Sequence, residues 1–175
     1  MILANIESLV IGMIPMPSVI TLRQVEPKEG VDKNLVLPIL IGPMESSAIA
    51  AALEDAPEER PLTHKLAVDL VKATGGAVSR VVIDRVEGAT FFSTVYLRLA
   101  NGMFTRVDAR PSDGIALAIR ANVPLFITEE VMEAAGTPRS FVTGADKRIE
   151  IEEFDKFIEK VEPEDFLTHD GHGES

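Results

Sequence analysis

A strand that turns directly into a helix is encoded by residues 102–120, which read GMFTRVDARPSDGIALAIR. The first third of this stretch has the composition of an extended segment, and the last third is apolar and favours a helix. Pro111 suits the first helical position, where its missing N–H leaves no donor unsatisfied. Asp113 then lies in the first turn, where the helix dipole favours an anion. The stretch therefore predicts a strand, a tight turn and a helix over residues 111–121.

The same stretch supplies the first candidate site, which is formed by Asp108, Arg110 and Asp113. A strand end that opens into a helix N-terminus is a common place for a binding site. The alternative is that these residues only cap the helix and form an Arg–Asp salt bridge. The spacing alone favours this second interpretation.

A β-hairpin is predicted just before this site, because residues 101–102 (Asn-Gly) separate two runs rich in strand-forming residues. A two-residue turn there pairs Leu97 with Arg106 and Val95 with Asp108. Paired residues share a face of the sheet, so Arg106 and Asp108 are expected on the apolar face. Because burying an unpaired charge is costly, we expect both side chains to be paired or to bind a ligand.

The rest of the domain alternates short apolar runs with turn residues. Hydrophobic periodicity predicts strands over 2–14, 17–26, 35–41, 78–87, 90–100, 103–109 and 125–127, and helices over 43–54, 64–74, 111–121 and 128–135. Thr63 is the expected N-cap of the second helix. These elements predict a single α+β domain, in which a mixed, mostly antiparallel sheet with β-hairpins is packed by three to four helices.

An acidic tail follows the domain, which we place at residues 1–136. Residues 137–148 have the composition of a linker. Residues 149–166 carry one apolar face on a charged segment, which predicts an amphipathic helix, and residues 167–175 are expected to be disordered. Because a single short helix is marginal alone in water, we expect the tail to pack on its own domain or on a second copy. A homo-oligomer is therefore the expected assembly.

The charge of the chain is concentrated in its tail. The formal net charge is −11, and residues 129–175 hold 14 acids and 5 bases, whereas residues 1–128 hold 14 acids and 12 bases. The domain has no basic stripe, so tight unaided binding to a phosphate backbone is not expected. There is no cysteine, which excludes disulfides and thiolate metal sites. Without a membrane-length apolar run or a basic leader, we expect a cytoplasmic protein that has no membrane partner.

A second candidate cluster consists of Arg60 and His64. His64 is the only histidine before the tail, and histidine is the side chain that most readily transfers protons near neutral pH. The alternative is that His64 is an ordinary first-turn residue, since Asp69 is poorly placed to share a ligand with it. Glu45 and Asp84 are further acidic candidates. Glu45 begins a helix, where the dipole alone favours an acid, and Asp84 lies among apolar strand residues.

Four ordered segments resemble the bifunctional nuclease domain family over residues 37–135. They are LPILIGP (37–43) with Glu45 and AIA (48–50), RPLTH (60–64), VVID (81–84), and VDARPSD (107–113) with IALA (115–118). Four motifs in the right order and spacing are far more specific than any one of them.

The resemblance implies a cytoplasmic α+β protein with the RNase and DNase activity assigned to some members of the family. The family's motif positions correspond here to Glu45, Arg60, His64, Asp84, Asp108, Arg110 and Asp113. Two residues depart from the family pattern. Lys65 stands where an acid is common, which removes one metal ligand. Gly114 stands where alanine is usual, which weakens the helix start by up to about 1 kcal/mol.

The first hypothesis is a metal-assisted nuclease that hydrolyses phosphodiester bonds of RNA or DNA. In this mechanism His64, Asp108 and Asp113 are the catalytic residues, and His64 moves a proton. Arg60 and Arg110 bind the substrate phosphate. Mg²⁺ or Mn²⁺ is held by oxygen ligands drawn from Asp108, Asp113, Asp84 and Glu45.

The second hypothesis is a non-catalytic oligomeric module for interaction or regulation. In it the same residues form a buried Asp/Arg network, and the tail binds a partner or a second subunit. The nearly neutral domain and the acidic tail favour this hypothesis, whereas the family resemblance favours the first. The two differ in whether the carboxylates converge in one pocket or pair separately with arginines.

Overall fold

An eight-stranded sheet runs through the first of two units, Met1–Pro138 and Arg139–Ser175, into which the chain divides. The computed structural model describes residues 1–12, 16–26, 32, 34–54 and 59–142. The strands are β1 (Ile2–Val10), β2 (Ser18–Gln24), β3 (Leu35–Ile41), β4 (Ala77–Glu87), β5 (Thr90–Arg98), β6 (Phe104–Ala109), β7 (Leu125–Ile127) and β8 (Thr137–Pro138).

Four helices accompany this sheet within the first unit. They are α1 (Pro43–Leu53), α2 (Thr63–Ala73), α3 (Pro111–Ala121) and α4 (Glu129–Ala135). In the second unit the described residues form one short helix, α5 (Arg139–Val142). None of the helices that the structure describes is long and apolar enough to cross a membrane.

The strands lie in the order β6-β5-β4-β7-β1-β2-β3-β8. All neighbours are antiparallel except β4 and β7, which run parallel. The three residues of β7 join two antiparallel halves, because β7 pairs with β4 on one side and with β1 on the other. The predicted α+β class with a mixed, mostly antiparallel sheet is confirmed.

Both halves of the sheet contribute to one core. Apolar side chains from strands of each half and from α1, α3 and α4 are almost completely buried in it, including Ile20, Leu37, Ile49, Ile83, Ile115, Ile127 and Met132. Removing one such side chain from water contributes about 1.5–3 kcal/mol to folding. This core fixes the helices on the sheet and therefore fixes the relative positions of their N-termini.

Most predicted elements are found, with differences at their ends. β3 and α3 have the predicted bounds, whereas β1 ends at Val10 and β2 covers Ser18–Gln24. Residues 137–138, which the sequence assigned to a linker, pair with β3 as the strand β8. The predicted tail helix over residues 149–166 and the residues after it lie outside the described part of the chain.

The N-cap predicted for α2 is wrong by one residue. Leu62 is the N-cap, with an extended backbone at φ −71° and ψ 166°, and Thr63 is already helical. The backbone N–H of Leu66 donates to the Leu62 carbonyl over 2.8 Å, which closes the first helical turn there. The Thr63 hydroxyl therefore does not occupy the position from which an N-cap side chain accepts a hydrogen bond.

α3 packs unusually close to the sheet at Gly114. A Cβ atom at this position would lie 2.8 Å from Ser93 Oγ and 2.9 Å from Val81 Cγ1. Glycine removes this collision, so its weak helix propensity is offset by a closer approach of helix and sheet. We call the face that α3 covers, with Val81 and Ser93, the inner face of the β4–β5–β6 half, and the opposite face the outer face.

The predicted register of the β5–β6 hairpin is wrong by one residue. Leu97 pairs with Thr105 and Val95 with Val107, whereas Asp108 pairs with Thr94. The loop contains three residues and ends at Gly102 with φ +83°, a conformation that adds a bulge to a hairpin. Because a one-residue slip exchanges the two faces, Asp108 and Arg106 lie on the outer face, away from the apolar side chains.

Candidate functional site

The N-terminal turns of three helices meet at one point, because α3 packs against both α1 and α2. Contacts there bring together Glu45 of α1, His64 of α2, and Arg110 and Asp113 at the start of α3. We call these four side chains the helix-start cluster. All four were predicted as site residues from the sequence, although Glu45 and Arg110 are 65 positions apart.

Arg110 joins the two carboxylates of the cluster. Its Nε and Nη2 atoms donate to Oδ2 and Oδ1 of Asp113 over 2.8 and 3.2 Å. Its Nη1 atom donates to Glu45 Oε1 over 2.9 Å. The hydrogen bonds with Asp113, supported by Glu45, raise the pKa of Arg110 above its ordinary value. Since 66% of its side chain is exposed, the guanidinium remains accessible to an anionic ligand.

Asp113 is the central carboxylate of the cluster. Partial burial acts to raise the pKa of Asp113, but hydrogen bonds from Arg110 and His64 outweigh it and lower the pKa below its ordinary value. Asp113 is therefore ionised at neutral pH and acts only as a hydrogen-bond acceptor. This one carboxylate therefore orients both the Arg110 guanidinium and the His64 imidazole.

His64 presents one ring nitrogen to Asp113. Its Nε2 atom lies 3.1 Å from Asp113 Oδ1, and its side chain is 20% exposed. An ionised carboxylate can only accept, so in neutral His64 the proton is on Nε2 and the lone pair is on Nδ1. No described residue forms a hydrogen bond with Nδ1. The ring is thus oriented on one side and available for proton transfer on the other.

The three helices that meet here share a second property. Their N-caps, Gly42, Leu62 and Arg110, form no side-chain capping hydrogen bond. By contrast, the N-cap of α4 is Thr128, whose hydroxyl accepts from the backbone N–H of Val131. Uncapped N–H groups and aligned peptide dipoles make a helix N-terminus attractive to anions. The position at which the three helices meet therefore favours negative charge.

Sequence reasoning missed the residues that hold α1 in place. Ser46 Oγ donates to the Pro43 carbonyl over 2.9 Å and accepts from Ser18 Oγ over 3.0 Å, and both serines are fully buried. A Cβ atom at position 42 would collide with Glu45 Oε2, so Gly42 leaves room for that carboxylate. No sequence signal links Ser18 to Ser46, because the contact depends on how α1 packs on β2.

The remaining predicted site residues form no hydrogen bond or ion pair with the helix-start cluster in the described part of the chain. Asp84 accepts a hydrogen bond from Thr94 Oγ1, and Asp108 pairs with Thr94 across the β5–β6 ladder. Both therefore lie on the outer face, whereas α3 covers the inner face. Arg60 is exposed and forms no hydrogen bond or ion pair with a described residue. Asp69 pairs with Lys65 over 2.6 Å and takes no part in the cluster.

The four predicted metal ligands do not fit one metal site. Glu45 and Asp113 both accept hydrogen bonds from Arg110, so a guanidinium already balances their charge. Asp84 and Asp108 lie on the other face of the sheet. Among the residues that the structure describes, no three His, Asp or Glu side chains are close enough to hold a metal ion. Mg²⁺ and Mn²⁺ sites need several convergent oxygen ligands, which this arrangement does not offer.

Comparison with known proteins supports the family suggested by the motifs. An uncharacterized protein of Mycobacterium tuberculosis is 38% identical over 136 residues, which are 74% of this chain and 80% of that protein. Bifunctional nuclease 1 of Oryza sativa subsp. japonica is 28% identical over 123 residues, which are 66% of this chain and 37% of the rice protein. Bifunctional nuclease 2 of Arabidopsis thaliana is 29% identical over 105 residues, 59% of this chain and 32% of the plant protein.

The matching region contains the whole helix-start cluster. A family model described as the bifunctional nuclease domain matches residues 28–140, a segment that runs from before β3 to the start of α5. The chain spans only about a third of the length of the plant relatives, so their further segments have no counterpart in this match. The family match covers well over half of the chain, and the chain belongs to the bifunctional nuclease domain family.

Proposed function

We propose that this protein hydrolyses phosphodiester bonds of RNA or DNA, and that the helix-start cluster carries the reaction. The observation that carries this proposal is the pairing of His64 with Asp113 beside an exposed arginine, at a point where three uncapped helix N-termini meet. Two plant relatives that are 28% and 29% identical to this chain are named bifunctional nucleases, and the family model for that domain covers the cluster.

The substrate phosphate would bind at Arg110. A guanidinium donates to phosphate oxygens in the same forked geometry that it uses with Asp113. Glu45 and Asp113 hold the guanidinium in place without covering it, since two thirds of the side chain is exposed. Backbone N–H groups in the first turns of the three helices add positive potential at the same point. Arg60 precedes α2 along the chain. Its long side chain would bring a second positive charge to the flanking phosphates.

His64 would act as the general base through Nδ1. Asp113 holds Nε2–H, which fixes the tautomer and stabilises the imidazolium that forms when Nδ1 takes a proton from water. The water oxygen would attack the phosphorus, the bond between phosphorus and the leaving oxygen would break, and the leaving oxygen would take a proton from the imidazolium or from solvent. A base oriented by a carboxylate in this way raises a hydrolysis rate by about 10²–10⁴-fold. No step of this mechanism is assigned to a metal, because the carboxylates do not converge. The metal dependence of cleavage is measured as a separate arm of the experiment.

The test is cleavage of 5′-labelled single-stranded RNA and DNA by the full-length protein, with Mg²⁺, with Mn²⁺ and with chelator. His64→Gln and Asp113→Asn are expected to lower the cleavage rate by at least about 10²-fold. Asp69→Asn is the matched control, because it removes one carboxylate from α2 outside the cluster, and its rate is expected to equal that of the wild type. Cleavage that persists unchanged in both cluster variants would come from a contaminating nuclease and would refute the proposal.

A non-catalytic role is the second candidate, and one observation favours it. Glu45 and Asp113 share a single arginine in a network whose charged groups satisfy one another, as a structural ion network requires. If the protein binds the labelled strands without cleaving them, and Arg110→Gln weakens that binding, the cluster is a phosphate-binding site of an interaction module. A protein that neither binds nor cleaves would leave only the structural role.

A further inference from the structure

The sheet ends at β6, and its outer edge is uncovered in the described part of the chain. β6 pairs only with β5, and residues 104–108 are all exposed. The other end of the sheet finishes in β8, which has only two residues. A six-residue edge strand presents backbone groups to which another strand can add.

The hairpin geometry shows which backbone groups of β6 face outward. The Leu99 N–H donates to the Met103 carbonyl over 2.8 Å, so Met103 directs its backbone groups toward β5. Hydrogen bonding alternates along an antiparallel strand. The backbone groups of Thr105, Val107 and Ala109 therefore face β5 as well, whereas those of Phe104, Arg106 and Asp108 face outward.

The charged side chains of β6 form a self-complementary pattern. Arg106 and Asp108 precede and follow Val107 along β6, and both side chains lie on the outer face. Neither forms a hydrogen bond or ion pair with another residue in the part of the chain that is described. If two β6 strands pair antiparallel about Val107, Arg106 lies opposite Asp108 of the second copy, and symmetry repeats the pair. Centring on Arg106 or on Asp108 would instead place like charges opposite each other, which is unfavourable.

We infer that β6 pairs with β6 of a second copy of this chain, antiparallel and centred on Val107, to form a dimer with a continuous sheet. This register joins the outward backbone groups of Arg106 and Asp108, as an antiparallel ladder requires. It also covers two exposed apolar side chains, Val107 at 49% and Phe104 at 62% exposure. Val107 lies opposite its own copy, and Phe104 lies opposite Arg110 of the second copy.

This inference differs from an assembly through the acidic tail and does not depend on the proposed hydrolysis. β6 leads directly into Arg110, so the second copy would reach the helix-start cluster through Phe104. The contact uses only backbone groups and side chains of the first unit. Charge variants within β6 therefore distinguish it from association through the acidic tail.

The experiment measures the mass of the full-length protein in solution by light scattering after size-exclusion chromatography. The wild type is expected at twice the chain mass of 19.0 kDa. Arg106→Asp and Asp108→Arg should each weaken the dimer by at least about tenfold, because each places like charges opposite each other. The combined variant Arg106→Asp/Asp108→Arg should recover the dimer. Arg98→Asp is the matched control, because it makes the same charge change on β5, the strand next to the edge strand.

A second variant tests the backbone contact. Asp108→Pro removes an outward N–H while the β5–β6 ladder keeps its hydrogen bonds, so it is expected to fold and to be monomeric. Circular dichroism and urea unfolding confirm that the fold is retained. A wild type that is monomeric at tens of micromolar, or single charge reversals that keep the dimer mass, would overturn the inference. So would a combined variant that folds but stays monomeric.

Discussion

Gly114→Ala is expected to destabilise the protein, even though alanine is the better helix former. In α3 the substitution gains up to about 1 kcal/mol of helix propensity. Against this, the new Cβ would lie 2.8 Å from Ser93 Oγ and 2.9 Å from Val81 Cγ1. Overpacking of this kind costs about 1–3 kcal/mol. Ser93 Oγ also donates to the Ala109 carbonyl over 2.8 Å, and displacing it costs about another 0.5–1.5 kcal/mol.

The net effect is a loss of about 0.5–4.5 kcal/mol in the free energy of unfolding. Urea unfolding of the full-length protein, followed by circular dichroism, measures this loss as a lower midpoint at constant slope. Helix propensity and packing predict changes in stability of opposite sign. Propensity alone predicts that Gly114→Ala is more stable than the wild type. An equal or higher midpoint would therefore refute the close approach of α3 to the sheet.

A double-mutant cycle with Ser93→Ala identifies the cause. Removing Ser93 Oγ eliminates the shorter of the two close contacts, so Gly114→Ala should cost less in the Ser93→Ala background. Residues in direct contact show coupling of about 0.5–3 kcal/mol in such cycles. Strictly additive effects would mean that the loss arises elsewhere, for example at Val81.

Three further predictions concern capping, acid stability and the exposed arginine. Thr128→Ala should lower the free energy of unfolding by about 1 kcal/mol in urea titrations, because the Val131 N–H loses its cap; an unchanged midpoint would contradict this. Hydrogen bonds from Arg110 and His64 outweigh burial and lower the pKa of Asp113 below 3.8, so ionised Asp113 stabilises the fold above that pH. The stability difference between wild type and Asp113→Asn should therefore shrink as pH falls through the lowered pKa, and a difference independent of pH would argue against it. Arg110→Gln should lower the free energy of unfolding by less than about 1 kcal/mol, because the ion pairs of Arg110 are largely exposed. A larger loss of stability in urea titrations would indicate a structural network.

Local sequence signals predicted the elements that carry the candidate site. Pro111 and the apolar run after it gave the bounds of α3, and Pro43 gave the start of α1, because proline at a first helical position acts through local backbone geometry alone. Glu45, His64, Arg110 and Asp113 were all candidates from their chemistry and from the family motifs, and each also stands at a predicted helix start. That they touch one another depends on how α1 and α2 pack against α3, which no local pattern contains.

The wrong face predicted for Asp108 has an equally local cause. Asn-Gly suits both a two-residue turn and a three-residue loop that ends in a left-handed glycine, and the sequence does not distinguish them. The choice shifts the register by one residue and moves Asp108 from the inner to the outer face. The conformation of the loop at Gly102 therefore decides whether Asp108 lies on the same face of the sheet as α3.

The position of β7 has a consequence for the order in which the chain can fold during synthesis. β1 pairs with β7 through Ile2 and Ile127, residues at opposite ends of the first unit, and β4 joins the same strand. A growing chain that stops before residue 125 can form two separate ribbons, β1–β2–β3 and β4–β5–β6, each with an open apolar edge. Such edges are sites of wrong pairing until they are covered. The three residues of β7 thus join the two ribbons, and until they have been synthesised the edges of β1 and β4 stay open to wrong pairing.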